Sequence, residues 1–206
     1  VGFMKEAAAL ARLDHPSIVH VSGIFEANDT AYMALAYETG GTVSEWLKRI
    51  GRRPSQAELD RLLLPLIDAL IQVHSLPMLH RDIKPDNIML SGGHARVADF
   101  GIARASTQTE EERENTMFDP AKLSAVTPAY ATPEMFAGMN PDPRDDIYGL
   151  ACVAYQLLSG GKHPYNKVAS PKIKELGIKP KPIKGLNRRQ QKTLMKALTV
   201  VREDRI

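Results

Sequence analysis

The stretch "LHRDIKPDNIML", Leu79 to Leu90, decides how this chain is read. It sets His80, Arg81, Asp82, Lys84, Asp86 and Asn87 between apolar residues on both sides. Downstream, "NIML" and then "ARVAD" are short strands. Upstream, Leu59, Leu62, Leu63, Leu66, Ile67 and Leu70 recur at helical intervals and predict a largely buried helix. Ser55 and Glu58 have the spacing of a capping box at its start. Pro65 lies inside it and is expected to kink it.

Further out, Phe3, Leu10 and Leu13, with Ala7 and Ala11 between, predict one helical stripe that stops at "DHPS". "IVHVSGIFEA" and "AYMALAY" flank the turn-like Asn28-Asp29 and predict a hairpin. Thr39 to Gly41 break the second strand, and "TVSEWLKRI" restarts as a short helix. Residues 102–128 are polar and nearly aperiodic, and so long a connection in a compact domain is usually functional or disordered. "DDIYGLACVAYQLLSG" returns to helix, with Ile147, Leu150, Ala151, Ala154, Leu157 and Leu158 expected inward and Gly160 as C-cap. The Lys/Pro-rich run 162–184 predicts a solvated loop with a short helix, and "NRRQQKTLMKALTV" a final amphipathic helix. This order predicts an α+β fold dominated by helices toward the C-terminus.

The bulk numbers narrow the function. A hydrophobic fraction of 43% with 25% charged residues fits a globular domain. A net charge of +3 is too mild to argue for nucleic acid. The single cysteine, Cys152, excludes an internal disulfide framework and is expected to be a small core residue. No apolar run approaches the roughly 18 residues of a membrane span, and no signal peptide is expected. Cytoplasmic placement is expected, with no membrane contact by this segment. Because the first residues already read as mid-domain helix, the chain is expected to start inside a larger protein, whose anchoring stays open.

His80, Arg81 and Asp82 are followed by Asn87, five residues after Asp82, and then by Asp99, Phe100 and Gly101. "ATPE" follows, with Thr132 interrupting an A-P-E pattern and Pro133 and Glu134 intact. That ordered set resembles the protein kinase signature of H-R-D, Asn, D-F-G and A-P-E. Lys84-Pro85-Asp86-Asn87 resembles the serine/threonine branch, in the manner of bacterial (Hanks-type) serine/threonine kinases. The resemblance covers essentially the whole chain. It implies a kinase-like fold: a partial N-lobe over 1–38 (helix C, two strands and hinge) and a mostly helical C-lobe over 39–206.

Phosphoryl transfer needs alignment and charge neutralisation more than covalent help. By the resemblance, Asp82 accepts the substrate hydroxyl's hydrogen bond and takes its proton late. Asn87 and Asp99 are hard oxygen ligands for Mg²⁺, with Mn²⁺ as the alternative, bridging the phosphates of ATP. Lys84 brings positive charge beside the moving group. Glu6 falls where helix C carries the partner of a strand lysine. Leu35 falls at the gatekeeper, Ala36 and Glu38 at the hinge and Met89 at the adenine floor. His80 would buttress the D-F-G region and Asp146 brace the catalytic loop. Glu134 and Arg205 match a buried pair that anchors the activation segment. Thr127, in "TPAY", would bond Asp82 and Lys84. Arg81 would hook a phosphorylated side chain on the long loop, with Thr116 or Ser124 favoured over Thr107 and Thr109.

The chain departs from the pattern at its start. No G-x-G-x-x-G occurs, and five residues precede Glu6, so neither the glycine-rich loop nor its lysine is present. The chain as given is therefore expected to transfer phosphate poorly. The leading expectation is a serine/threonine protein kinase acting on protein hydroxyls, with self-association for autophosphorylation in trans. A pseudokinase or binding scaffold is the alternative. A small-molecule phosphotransferase fits less well, because Arg81 and "TPAYATPE" are foreign to that class. His74 and His163 suggest no partner and default to packing.

Overall fold

The computed structural model describes residues 10–28, 30–76, 78–100 and 127–206. Glu6, Gly101, Thr107, Thr109, Thr116 and Ser124 lie outside them. The first hairpin pairs β1 (Val21–Ala27) with β2 (Thr30–Leu35), from Val21 opposite Leu35 to Ala27 opposite Thr30, with a bulge between Val21 and Gly23. The flanking residues expected to extend it do other work. Ile18 bridges Val97, Val19 donates to the Val97 carbonyl at 2.9 Å, and the Ala36 N–H goes to His20 at 2.9 Å.

The break at Thr39–Gly41 has a steric reason. A Cβ at Gly40 would overlap the Leu90 carbonyl, and Gly40 donates to that same oxygen at 3.1 Å. Backbone approach this close excludes any side chain. Then α1 (Val43–Ile50) starts in a reciprocal box between Thr42 and Glu45 and stops at Gly51, in the left-handed region at φ 58°. The predicted box of Ser55 and Glu58 opens α2 (Gln56–His74), which runs unbroken through Pro65. Its buried stripe is Leu59, Leu62, Leu66, Ala69, Leu70 and Val73. Leu63 is only half-buried, and Ile67, expected inward, is 44% exposed beside exposed Leu64 and Ile71. The stripe is therefore the predicted one at Leu59, Leu62, Leu66 and Leu70, with its edge turned from Leu63 and Ile67 toward Ala69 and Val73.

A second hairpin joins β3 (Ile88–Ser91) to β4 (His94–Val97), turning at Gly92 and Gly93 with φ 56° and 82°. Two positive φ values in a two-residue loop match strand twist, and glycine supplies them without strain. After the short α3 (Pro133–Phe136), α4 (Pro143–Ser159) forms the central helix. It starts in a box between Asp142 and Asp145 and ends at Gly160 with φ 71°, the predicted C-cap. The expected one-sided burial of α4 is corrected. Ile147, Leu150, Ala154 and Leu158 are half-buried, while Tyr148, Cys152, Val153 and Tyr155 are buried. Two cores explain this. Val153 and Leu157 join α2 and the β3–β4 hairpin, whereas Tyr148, Ala151, Cys152 and Tyr155 join Tyr165, Ile173, Ile183 and Leu198. Cys152 is fully buried in the second core, and burial pushes its thiol pKa well up. The run 162–184 carries the short α5 (Ser170–Glu175), and α6 (Arg188–Ala197) follows its Asn187 cap. Among the described residues no helix is long and apolar enough to cross a membrane.

Candidate active site

The loop His80–Lys84 has no regular structure, so something outside it must hold it. That something is Asp146 on α4, 1% exposed. Its Oδ2 accepts the His80 N–H at 2.8 Å and its Oδ1 the Arg81 N–H at 2.7 Å. Arg81 sits at φ 67°, a region L-residues avoid, and the carboxylate clamp holds it there. His74, at the end of α2, adds a third bond from Nε2 to Asp146 Oδ2 at 2.9 Å. His74 therefore has a partner that the sequence did not suggest. One turn along α4, a Cβ on Gly149 would lie 2.8 Å from the Ile83 carbonyl oxygen. Only glycine lets α4 approach the loop this closely.

His80 is fully buried and links the loop to the Asp99 segment. Its Nε2 meets the Ala98 carbonyl at 2.9 Å, and its Nδ1 accepts the Asp82 N–H at 3.1 Å. These two bonds require the neutral Nε2–H tautomer. Burial favours it too, since desolvation lowers the His80 pKa. The His80 ring packs on Phe100 at 4.6 Å between centroids.

Asp82 Oδ2 accepts Lys84 Nζ at 2.9 Å and Asn87 Nδ2 at 2.8 Å. Asn87 Nδ2 also reaches the Asp82 carbonyl at 3.0 Å. The same Lys84 Nζ donates to Thr127 Oγ1 at 2.7 Å, tying the loop to the segment 43 residues later in the chain. The Asn87 carbonyl accepts the Ala98 N–H at 2.9 Å, one residue before exposed Asp99, whose φ is 54°. Asp82, Lys84, Asn87 and Thr127 thus form one hydrogen-bonded cluster, with Asp99 adjacent through the backbone.

The residues expected at the hinge and floor lie on β2, the Gly40 turn and β3. Leu35 at the end of β2 packs against the first core. Met89 on β3, half-buried, bridges Thr42, just past the Gly40 contact. Glu38, 8% exposed, pairs with Arg96 Nη1 on β4 at 3.0 Å. Arg96 had no assigned role in the sequence reading.

At the far end, Glu134 and Arg205 approach at 3.4 Å as expected, but they belong to a larger network. Arg202 binds both oxygens of Asp145 at 3.1 and 2.9 Å, and its N–H meets Glu134 Oε1 at 3.1 Å. Arg205 lies over the Tyr148 ring at 5.1 Å. Thr132, the residue that interrupts A-P-E, accepts the Met135 N–H at 3.3 Å as N-cap and donates to Asp145 Oδ1 at 3.0 Å. A Thr-Pro-Glu run is an N-cap signal in its own right, so this role was legible. The Asp145–Arg202 pair was not.

Comparison with known proteins agrees with this geometry. The protein kinase domain family matches residues 2–202, and the chain belongs to that family. The serine/threonine-protein kinase PknB of Mycobacterium leprae is 36% identical over 163 residues, covering 77% of this chain and 25% of that protein. PrkC of Bacillus subtilis, also a serine/threonine-protein kinase, is 33% identical over 159 residues, covering 77% and 23%. The chain thus spans about a quarter of the length of these curated relatives. A solved structure titled "PpkA-294 apo form" superposes with a TM-score of 0.75 at 29% identity, covering 99% of this chain and 69% of that one.

Proposed function

We propose that the protein transfers the γ-phosphoryl group of ATP to serine or threonine hydroxyls of proteins. The observation that carries this is the Asp82 cluster, in which one carboxylate oxygen is held by both Lys84 and Asn87 while Lys84 also reaches Thr127. Asp82 orients the acceptor hydroxyl and takes its proton as the new P–O bond forms and the bond to the leaving ADP breaks. Lys84 stabilises negative charge on the transferring group. The Thr127 bond sets the lysine and carries the segment on which an acceptor polypeptide lies.

The residues fit a divalent cation. With Asn87 Nδ2 committed to Asp82, its amide oxygen is the donor left for a metal, and Asp99 supplies an exposed carboxylate. Hard oxygen donors of this kind suit Mg²⁺, with Mn²⁺ as the alternative. When bound, the cation neutralises phosphate charge. At the hinge, the Ala36 N–H is spent on His20, so its carbonyl and the Glu38 backbone are the groups that meet adenine, with Leu35 as gatekeeper and Met89 beneath the ring. Glu6 pairs with a lysine supplied from upstream. Arg81 receives a phosphate carried by Thr116 or Ser124. The unit divides at the hinge into 1–38 and 39–206. It acts in the cytoplasm and self-associates for phosphorylation in trans.

The test is phosphate transfer from radiolabelled ATP to a protein substrate by the full-length protein and its Asp82→Asn variant. General-base removal lowers such rates by about 10²–10⁴-fold. Transfer unchanged by the substitution would sink the reading, and no transfer by either protein would favour a binding scaffold.

A further inference from the structure

The charge of this chain is strongly divided. Residues 162–196 contain eleven lysines and arginines against one acid, Glu175, while the remainder has sixteen basic and twenty-three acidic residues. A net charge of +3 therefore conceals a strongly basic segment on an acidic body.

The fold turns those charges outward. Tyr165, Ile173, Ile183 and Leu198 point into the second core around α4, and the cations lie on the opposite side of the same backbone. Lys172, Lys179, Lys181, Lys184, Arg188 and Lys192 are all exposed. Among the described residues none of these six forms an ion pair. The backbone beneath them is pinned. Tyr155 Oη donates to the Lys181 carbonyl at 3.0 Å, Arg53 to the Lys184 carbonyl at 2.6 Å, and the Ile183 N–H to Gln191 at 3.0 Å. Pro180 and Pro182 further stiffen "KPKP". Leu176, 63% exposed, stands beside these cations as an apolar anchor.

We propose that the outer face of residues 162–196 is a docking surface for an acidic segment of the polypeptide substrate, engaged away from the phosphoacceptor. Its placement as a substrate aid rests on the kinase reading above. Two observations select a polypeptide. First, α5 packs against α3, which follows directly on the Thr127–Thr132 segment joined to Lys84. The basic segment is thus joined through α3 to the segment that holds Lys84, within the span of a substrate chain extending from Asp82. Second, the acidic remainder of the molecule repels long polyanions. Net negative charge on the rest of the chain disfavours a long polyanion more than a short acidic segment.

The test uses the full-length protein and two fluorescein-labelled serine peptides, identical except that a run of glutamates in one is glutamine in the other. Fluorescence anisotropy without ATP reads binding, and initial rates read KM and kcat separately. The acidic peptide should bind more tightly at low salt and lose that advantage in high salt, where screening shortens to about 3 Å. The triple variant Lys172→Glu, Lys179→Glu, Lys181→Glu should weaken acidic-peptide binding at least about tenfold, as expected for several exposed charge contacts acting together. It should raise KM for that peptide, leave kcat and the glutamine peptide unchanged, and melt at the wild-type temperature. Equal binding of the two peptides, indifference to the charge reversal, or tighter binding of duplex DNA or phosphatidylserine vesicles at physiological salt would overturn the proposal. Binding of the acidic peptide without phosphate transfer would overturn the kinase reading and leave the docking surface standing. Transfer with equal KM for both peptides would do the reverse.

Discussion

Replacing Asp146 with asparagine tests the architecture of the site most directly. The carboxylate accepts three hydrogen bonds, from the His80 and Arg81 N–H groups and from His74. Asparagine has the same shape but only one acceptor oxygen, so either the His80 or the Arg81 N–H faces an amide NH₂. A buried donor left without a partner costs about 1–3 kcal/mol, and losing the negative charge weakens the bonds that remain. The sum is about 3 kcal/mol, and at roughly 2–4 °C per kcal/mol for a domain of this size the melting temperature should fall by about 6–12 °C. The loss of transfer should exceed the loss of stability, because either residue left unclamped belongs to the turn that leads into Asp82, where Arg81 is held at φ 67°. The assay is thermal melting by circular dichroism, paired with initial phosphate-transfer rates well below the new midpoint. His74→Ala serves as the lesser perturbation, since it removes one bond and leaves both backbone donors paired. If Asp146→Asn melts within 2 °C of wild type and retains full transfer, the clamp does not position the loop.

Gly149→Ala should destabilise by about 1–3 kcal/mol through overpacking, because its Cβ would lie 2.8 Å from the Ile83 oxygen; a Tm equal to wild type in a melt would refute the close approach. Thr132→Val should cost about 1–2 kcal/mol through loss of the α3 cap, plus the bond to Asp145, measured by urea unfolding. His163 is buried with its pKa lowered to about 4, the desolvation of its ring being the main cause. Its folded pKa lies below the ordinary value of 6.5, so its contribution is complete above pH 6.5 and is lost as pH falls toward 4. The lost stability is at most about 3 kcal/mol, and His163→Gln should flatten that part of the stability-versus-pH curve. A variant curve parallel to wild type between pH 6.5 and 4 would refute the assignment.

Much of the site was legible because its residues are close in sequence. Asp82, Lys84 and Asn87 lie within one short loop, so their types and spacing already imply a cluster. Helix starts were legible for the same reason: a box such as Ser55–Glu58 closes over three residues. The stripe on α2 was read correctly at Leu59, Leu62, Leu66 and Leu70 but not at its edge, since a leucine-rich helix carries more apolar residues than it buries and packing decides that Ala69 and Val73, not Leu63 and Ile67, complete it. Arg96, His74 and Arg202 escaped because their partners lie 58, 72 and 57 residues away.

The neighbours Asp145 and Asp146 mark the boundary between the two kinds of information. By sequence they are two acids in the first turn of a helix, a position the helix dipole favours. Adjacent residues on a helix point about 100° apart, so on α4 one faces Thr132 and Arg202 while the other faces His74, His80 and Arg81. Local sequence determined that a helix would start here with acids in its first turn. The kinase resemblance marked Asp146 as the brace of the His80–Lys84 loop, but only the packing of α4 between two cores shows why: it turns Asp146 to that loop and Asp145 to Thr132 and Arg202.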